Sequence, residues 1–167
     1  VTVSSPQYAG VAVTVTAQLK DASGNITQLS GHVVTWTKTG TGGIFSSATS
    51  TTDASGAASV NFTPSTTSGR TYSITAKGNE TPTTLTGVSG AFTTTAGPLN
   101  AYQITASLSS FEIGAPNQLI ILAVDKFGNV TNFTGDATLV FGGLGTSASG
   151  AVPSVSSKTG SQVNLGS

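Results

Sequence analysis

The chain has 167 residues, six basic and six acidic side chains, one His, zero formal net charge and neither Cys nor Met. The charge balance leaves no electrostatic footprint for nucleic acid or an anionic membrane surface. The missing thiols exclude a disulfide framework, a thiolate nucleophile and a cysteine-ligated metal, and the polarity comes instead from 29 Thr and 23 Ser.

The chain opens Val1-Thr2-Val3, with no initiator Met and no charged-then-apolar leader, and reads as a mature or excised piece of something longer. In Val11-Ala-Val13-Thr-Val15-Thr-Ala17-Gln-Leu19 every odd position is apolar, which marks one buried face of a strand. Asp21 and Gly24 then stand at the first and fourth positions of a type I turn. There the Asp carboxylate accepts backbone N–H groups and the Gly takes the left-handed conformation. Val33-Val34-Thr35-Trp36 is the next strand, and Trp36 falls where a sandwich buries an aromatic. Asp53-Ala-Ser-Gly56 repeats the turn recipe ahead of the alternating Ser59-Val60-Asn61-Phe62-Thr63. Tyr72-Ser-Ile74-Thr-Ala76 alternates again, and Tyr72 is expected to act as a corner tyrosine whose hydroxyl ties back to the backbone. Thr35-Trp-Thr37-Lys-Thr39 and Thr93-Thr-Thr95 read as solvent-facing Thr faces, and Ala96-Gly97-Pro98 breaks any strand. The longest apolar run, Leu119 to Val124, has six residues against the ~20 a helical membrane span needs. Asp125 and Gly128 supply the turn a third time.

The strongest pattern is an internal repeat. Asp21-Ala-Ser-Gly24-Asn25-Ile26-Thr27-Gln-Leu29-Ser30-Gly31 recurs 104 residues on as Asp125-Lys-Phe-Gly128-Asn129-Val130-Thr131-Asn-Phe133-Thr134-Gly135. Self-similarity at one domain length predicts two homologous modules, 1–96 and 97–167, meeting at a seam whose Pro98 limits the hinge and favours end-to-end stacking. Short strands with frequent turns and no 3.6-residue period make each module an all-β sandwich. After Gly31 the first module runs on to Ala96, whereas after Gly135 the chain stops at Ser167. The counterparts of Tyr72–Ala76 and Ala91–Thr93, which would pair with Leu139-Val140-Phe141, are thus missing. The second module is expected to be truncated, or to be completed by another chain through strand addition.

Sites for chemistry are sparse. His32 is the only imidazole, and a catalytic or metal role needs partners that the sequence lacks. Glycoside hydrolysis needs two acids across a cleft, and Glu80 and Glu112 are the only glutamates. His32, Glu80 and Glu112 are each expected to tolerate Ala without loss of activity. Calcium wants six to eight oxygens, and Asp21 with Asn25, or Asp125 with Asn129, supplies two or three, with Asp53 or Asp136 adding to them only if the fold brings them near. The turn explains the same residues without a metal, so no cofactor is assigned. Gly143-Leu-Gly145 echoes a dinucleotide loop but lacks the helix that such a loop needs. The residues singled out are structural: Asp21, Gly24, Trp36, Asp53, Gly56, Tyr72, Asp125 and Gly128.

The order of these motifs, from Thr16-Ala-Gln-Leu-Lys-Asp21 through Gly31-His-Val-Val-Thr35-Trp36 and Thr52-Asp53-Ala-Ser-Gly56 to Tyr72-Ser-Ile74-Thr-Ala76, resembles the bacterial immunoglobulin-like repeats of invasin- and intimin-type adhesins. The first module is covered almost end to end. The second drifts further, with Val140 at the place of Trp36. The resemblance implies tandem immunoglobulin-like sandwiches acting as non-catalytic spacers of a cell-surface or extracellular protein. Their partners would be neighbouring modules or identical chains, with no nucleic acid and no membrane insertion. The alternatives are a subunit of an extracellular filament, surface layer or phage particle, and a glycan- or protein-binding module.

Overall fold

The structure is a computed structural model that describes residues 1–79, 84–110, 112, 115–134, 139, 146 and 148–150. Among these the chain is all-β, without a helix, and therefore without a helix long and apolar enough to cross a membrane. Up to residue 95 the strands are β1 (Thr2–Val3), β2 (Val13–Gln18), β3 (Val33–Lys38), β4 (Ile44–Phe45), β5 (Thr49–Thr51), β6 (Ala57–Thr63), β7 (Thr71–Tyr72), β8 (Ile74–Gly78), β9 (Thr86–Val88) and β10 (Phe92–Thr93). One sheet has the order β1-β2-β6-β4 and the other β5-β3-β8-β9, with antiparallel pairing throughout. Together they form a β-sandwich.

The alternation in the sequence is what closes it. Val13 and Val15 of β2 and Ala58, Val60 and Phe62 of β6 point inward, and the opposite sheet supplies Val34, Trp36, Ile74 and Ala76. The intervening Thr and Ser positions suit the pleat without charge. Each large side chain buried this way stabilises the fold by about 1.5–3 kcal/mol. Phe62 is the centre of an aromatic cluster, with ring centroids 5.1 Å from both Phe45 and Tyr72 and 6.4 Å from Phe92. Trp36 is buried, and its indole N–H donates to Ser50 Oγ at 2.9 Å. The Tyr72 hydroxyl, fully inside, donates to the Thr41 carbonyl at 3.0 Å and accepts the Ser65 N–H at 3.1 Å.

Two details depart from the sequence reading. The strand expected over Tyr72–Ala76 breaks at Ser73, so that β7 pairs with β10 while β8 pairs with β3 and β9. Ser89 spans the break, its hydroxyl accepting the Ile74 N–H and its own N–H donating to the Ile74 carbonyl. Thr94, expected to face solvent, is buried and lies 3.3 Å from the Arg70 carbonyl through its hydroxyl.

After the predicted seam come β11 (Ala101–Ala106) and β12 (Leu119–Val124), an antiparallel pair running from Ala101↔Val124 to Ala106↔Leu119. By compactness the chain groups Val1–Asn132 as one unit and Phe133–Ser167 as another, so the seam lies within the first. Glu80, Asp136, the Gly143–Gly145 loop and, apart from Leu139, the strand predicted over 137–141 fall outside the described residues, as does the pairing of that strand.

Candidate functional site

The three Asp turns share one geometry. In each, the Gly N–H donates to the carbonyl of the Asp three residues before it, and the Asp N–H donates to the carbonyl four residues on. The glycines hold φ of +87° at Gly24, +76° at Gly56 and +83° at Gly128, a region that costs a side-chain-bearing residue about 1–2 kcal/mol. Each carboxylate folds back onto its own turn through Oδ1. Asp21 accepts the Ser23 and Asn25 N–H groups, Asp53 those of Ser55 and Ala57, and Asp125 those of Phe127 and Asn129.

The surroundings of the third turn are different. Asp21 and Asp53 are exposed, whereas Asp125 is 3% exposed. Its Oδ2 accepts the Gly97 N–H at 2.9 Å, and Thr131 Oγ1 donates to the Gly97 carbonyl at 3.0 Å. Asn129 reaches the loop between β6 and β7, where its amide nitrogen donates to the Thr66 carbonyl at 2.8 Å and its Oδ1 accepts the Ser68 N–H at 2.9 Å. The same amide nitrogen also bonds the Asp125 carboxylate, at 2.9 Å from Oδ2. The Phe127 ring lies over Gly10, where an added Cβ would stand 2.5 Å from its Cζ and closer still to its Cε2. Gly10 in turn donates its N–H to the Ser65 carbonyl, so the ring and the amide grip neighbouring parts of one surface.

The electrostatics follow from this enclosure. Burial pushes the Asp125 carboxyl up, but the Asn129 amide and the N–H groups of Gly97, Asn129 and Phe127 outweigh it and hold the carboxyl at about 2. Asp21 is held below the ordinary carboxylate range chiefly by the Asn25 amide, and Asp53 by the Ser55 hydroxyl. The carboxylate–amide pairs named as calcium candidates are Asp21 with Asn25 and Asp125 with Asn129. In both, the amide nitrogen faces the carboxylate, at 3.1 Å in the first and 2.9 Å in the second. A cation at either place would have to displace those donors. Among the described residues no three of His, Cys, Asp and Glu gather in one place. The His32 backbone exchanges bonds with Thr52, and the Glu112 carbonyl accepts the Ala115 N–H.

The arrangement is thus a polar lock: the side chains of Asp125, Asn129 and Thr131 are engaged with backbone groups of Gly97, Thr66 and Ser68. Sequence reasoning assigned Asp125 and Gly128 to a turn but missed the docking. One signal was present: Asn stands fifth in the turns at Asp21 and Asp125, yet the turn at Asp53 forms equally well with Ala57 there. The amide is therefore surplus to the turn. Comparison with known protein families, with curated proteins and with solved structures returned no match for this chain.

Proposed function

We propose that the chain is a non-catalytic structural element: tandem immunoglobulin-like modules acting as spacers in a bacterial cell-surface or secreted adhesin-type protein. The observation that carries this reading is the lock itself. A turn that follows the seam commits Asn129 to backbone groups of the sandwich before it, and Asp125 and Thr131 to both backbone groups of Gly97 in the seam itself. Domains joined by a linker alone move independently by default. A spacer has to suppress that motion: the bonds to Thr66 and Ser68 tie the turn to the sandwich, and those to Gly97 fix the seam between them. The strand order β1-β2-β6 opposite β3-β8-β9 supports the immunoglobulin-like reading, as do the buried Trp36 and the backbone-tied Tyr72. The repeated turn at the end of β12 supports reading residues 97–167 as a second module.

The test places the intact chain on a glycan array and weighs it by native mass spectrometry. A spacer gives no glycan binding and the mass of a single chain. Reproducible glycan binding overturns the reading in favour of a binding module, and a discrete oligomer overturns it in favour of an assembly subunit.

A further inference from the structure

The lock has a second copy that is not closed. Asp21, Asn25 and Thr27 repeat the chemistry of Asp125, Asn129 and Thr131, yet Asp21 and Asn25 are exposed. In the first turn the Asn25 amide bonds the Asp21 carboxylate at 3.1 Å, whereas the Asn129 amide, besides its own Asp125 carboxylate, takes Thr66 and Ser68. The turn does not need this amide, because the Asp53 turn closes with Ala57 at that position and Ser59 two residues on.

The two halves of the lock sit at opposite ends of the sandwich. The Asp21 turn follows β2 at the end where Gln18 pairs with Ala57. The surface that receives Asn129 lies at the other end, where Val13 pairs with Phe62 and Gly10 bonds Ser65. One sandwich therefore carries a donor end and a receptor end. That is the layout of a head-to-tail contact, which propagates along a chain rather than closing on itself.

We infer that the exposed Asp21–Thr27 turn is a docking face for the Ser65–Gly69-type loop and Gly97-type seam of another sandwich of the same kind, placed before it in a tandem array. This rests on the spacer reading above. The occupant is fixed by continuity with the contact already formed: Asn25 would take a carbonyl and an N–H of that loop, and Asp21 Oδ2 an N–H of that seam. Ser23 stands where Phe127 covers Gly10, so this joint is polar and lacks the ring. Nearest-neighbour contacts of this kind add along an array.

The test adds a copy of residues 1–103 before Val1 of the full chain, the unit that the strand register defines, since Thr2 and Thr105 pair with the equivalent positions Thr16 and Ile120. Amide hydrogen exchange then reads Ser68 and Gly97 in both sandwiches. Protection of these two amides in the leading copy is expected, and Asn25→Ala in the following copy should raise their exchange at least roughly tenfold. The Asp53 turn shows that Ala is tolerated at this position, so the variant folds. Equal exchange with and without Asn25→Ala overturns the inference. Ser68 and Gly97 facing Asn129 and Asp125 serve as the internal reference. If they too exchange freely, the lock behind the spacer reading fails; if only the leading pair does, this inference alone fails.

Discussion

The Asp125 carboxylate accepts the backbone N–H of Gly97, a residue 28 positions earlier, at 2.9 Å. Thr131 takes the carbonyl of the same glycine, so both polar groups of Gly97 are held by the turn after β12. Pro98 already limits the hinge, and these bonds hold the neighbouring Gly97 backbone in place as well. A side chain at Gly97 would come within 3.6 Å of Asp125, ordinary contact distance, so the grip depends on backbone polarity more than on the missing side chain.

Asn129→Ala should weaken this joint without unfolding the sandwich. It removes the bonds to Thr66 and Ser68 and one of the donors to the buried Asp125 carboxylate. Loss of partially buried hydrogen bonds, one to a charged group, costs about 1–3 kcal/mol. Urea denaturation should report a loss of that size, and exchange of the Ser68 amide should accelerate. An unchanged midpoint together with unchanged Ser68 exchange would mean that the amide holds nothing.

Acid should open the same joint. The Asp125 carboxyl sits at about 2 in the folded chain against 3.8 ordinarily. A carboxyl depressed on folding contributes stability that is fully present above its unfolded value and is lost as pH falls through the folded one. The contribution is about 2 kcal/mol at neutral pH, declining from roughly pH 4 towards pH 2. Denaturation midpoints measured across that window should fall for the natural chain. Asp125→Asn should start lower at neutral pH, and its deficit should shrink as the acid limit is approached.

The sandwich was legible in the sequence because period-2 alternation and burial are the same fact seen twice. Val13, Val15, Val60, Phe62, Ile74 and Ala76 were all on the face that the pattern assigns to the core. The turns at Asp21, Asp53 and Asp125 were legible because their bonds are local, within five residues. What the pattern could not give was Thr94 turned inward, the break at Ser73, and the burial of Asp125 against Gly97. Each depends on a backbone group brought close by the fold from far along the chain, and Thr and Asp look alike in sequence whether they meet water or a distant peptide. The comparison of Asn25 and Asn129 with Ala57 was the only local trace of the docking.

Tyr72→Phe separates the hydroxyl from the ring. The ring would keep its contacts with Phe62 and Phe92, whose centroids lie 5.1 Å and 5.8 Å away. The hydroxyl would no longer bridge the Thr41 carbonyl and the Ser65 N–H. The expected cost is about 1–2 kcal/mol, read as a shift in denaturation midpoint with an unchanged slope. Because Ser65 also receives Gly10, exchange at the Gly10 amide should rise as well. A neutral substitution would show that water replaces the hydroxyl at no cost.

Gly10 and Phe127 allow the apolar half of the joint to be tested apart from the polar half. Gly10 holds φ at +66°, and an added Cβ would overlap the Phe127 ring. Gly10→Ala therefore carries two penalties: about 1–2 kcal/mol for the left-handed backbone, and the displacement of the ring. Phe127→Ala alone should be mild, because the ring is 40% exposed and loses its cover over Gly10 and the exposed approach of the Lys126 ammonium, 4.8 Å from its centroid. In the double variant the backbone penalty stays and the overlap disappears. The two changes should then be non-additive, the pair being less destabilised than the sum by roughly 0.5–2 kcal/mol, the range of residues in direct contact. Denaturation of the four chains gives this coupling directly. Additive effects would place the ring away from Gly10 and leave Asp125, Asn129 and Thr131 as the whole of the lock.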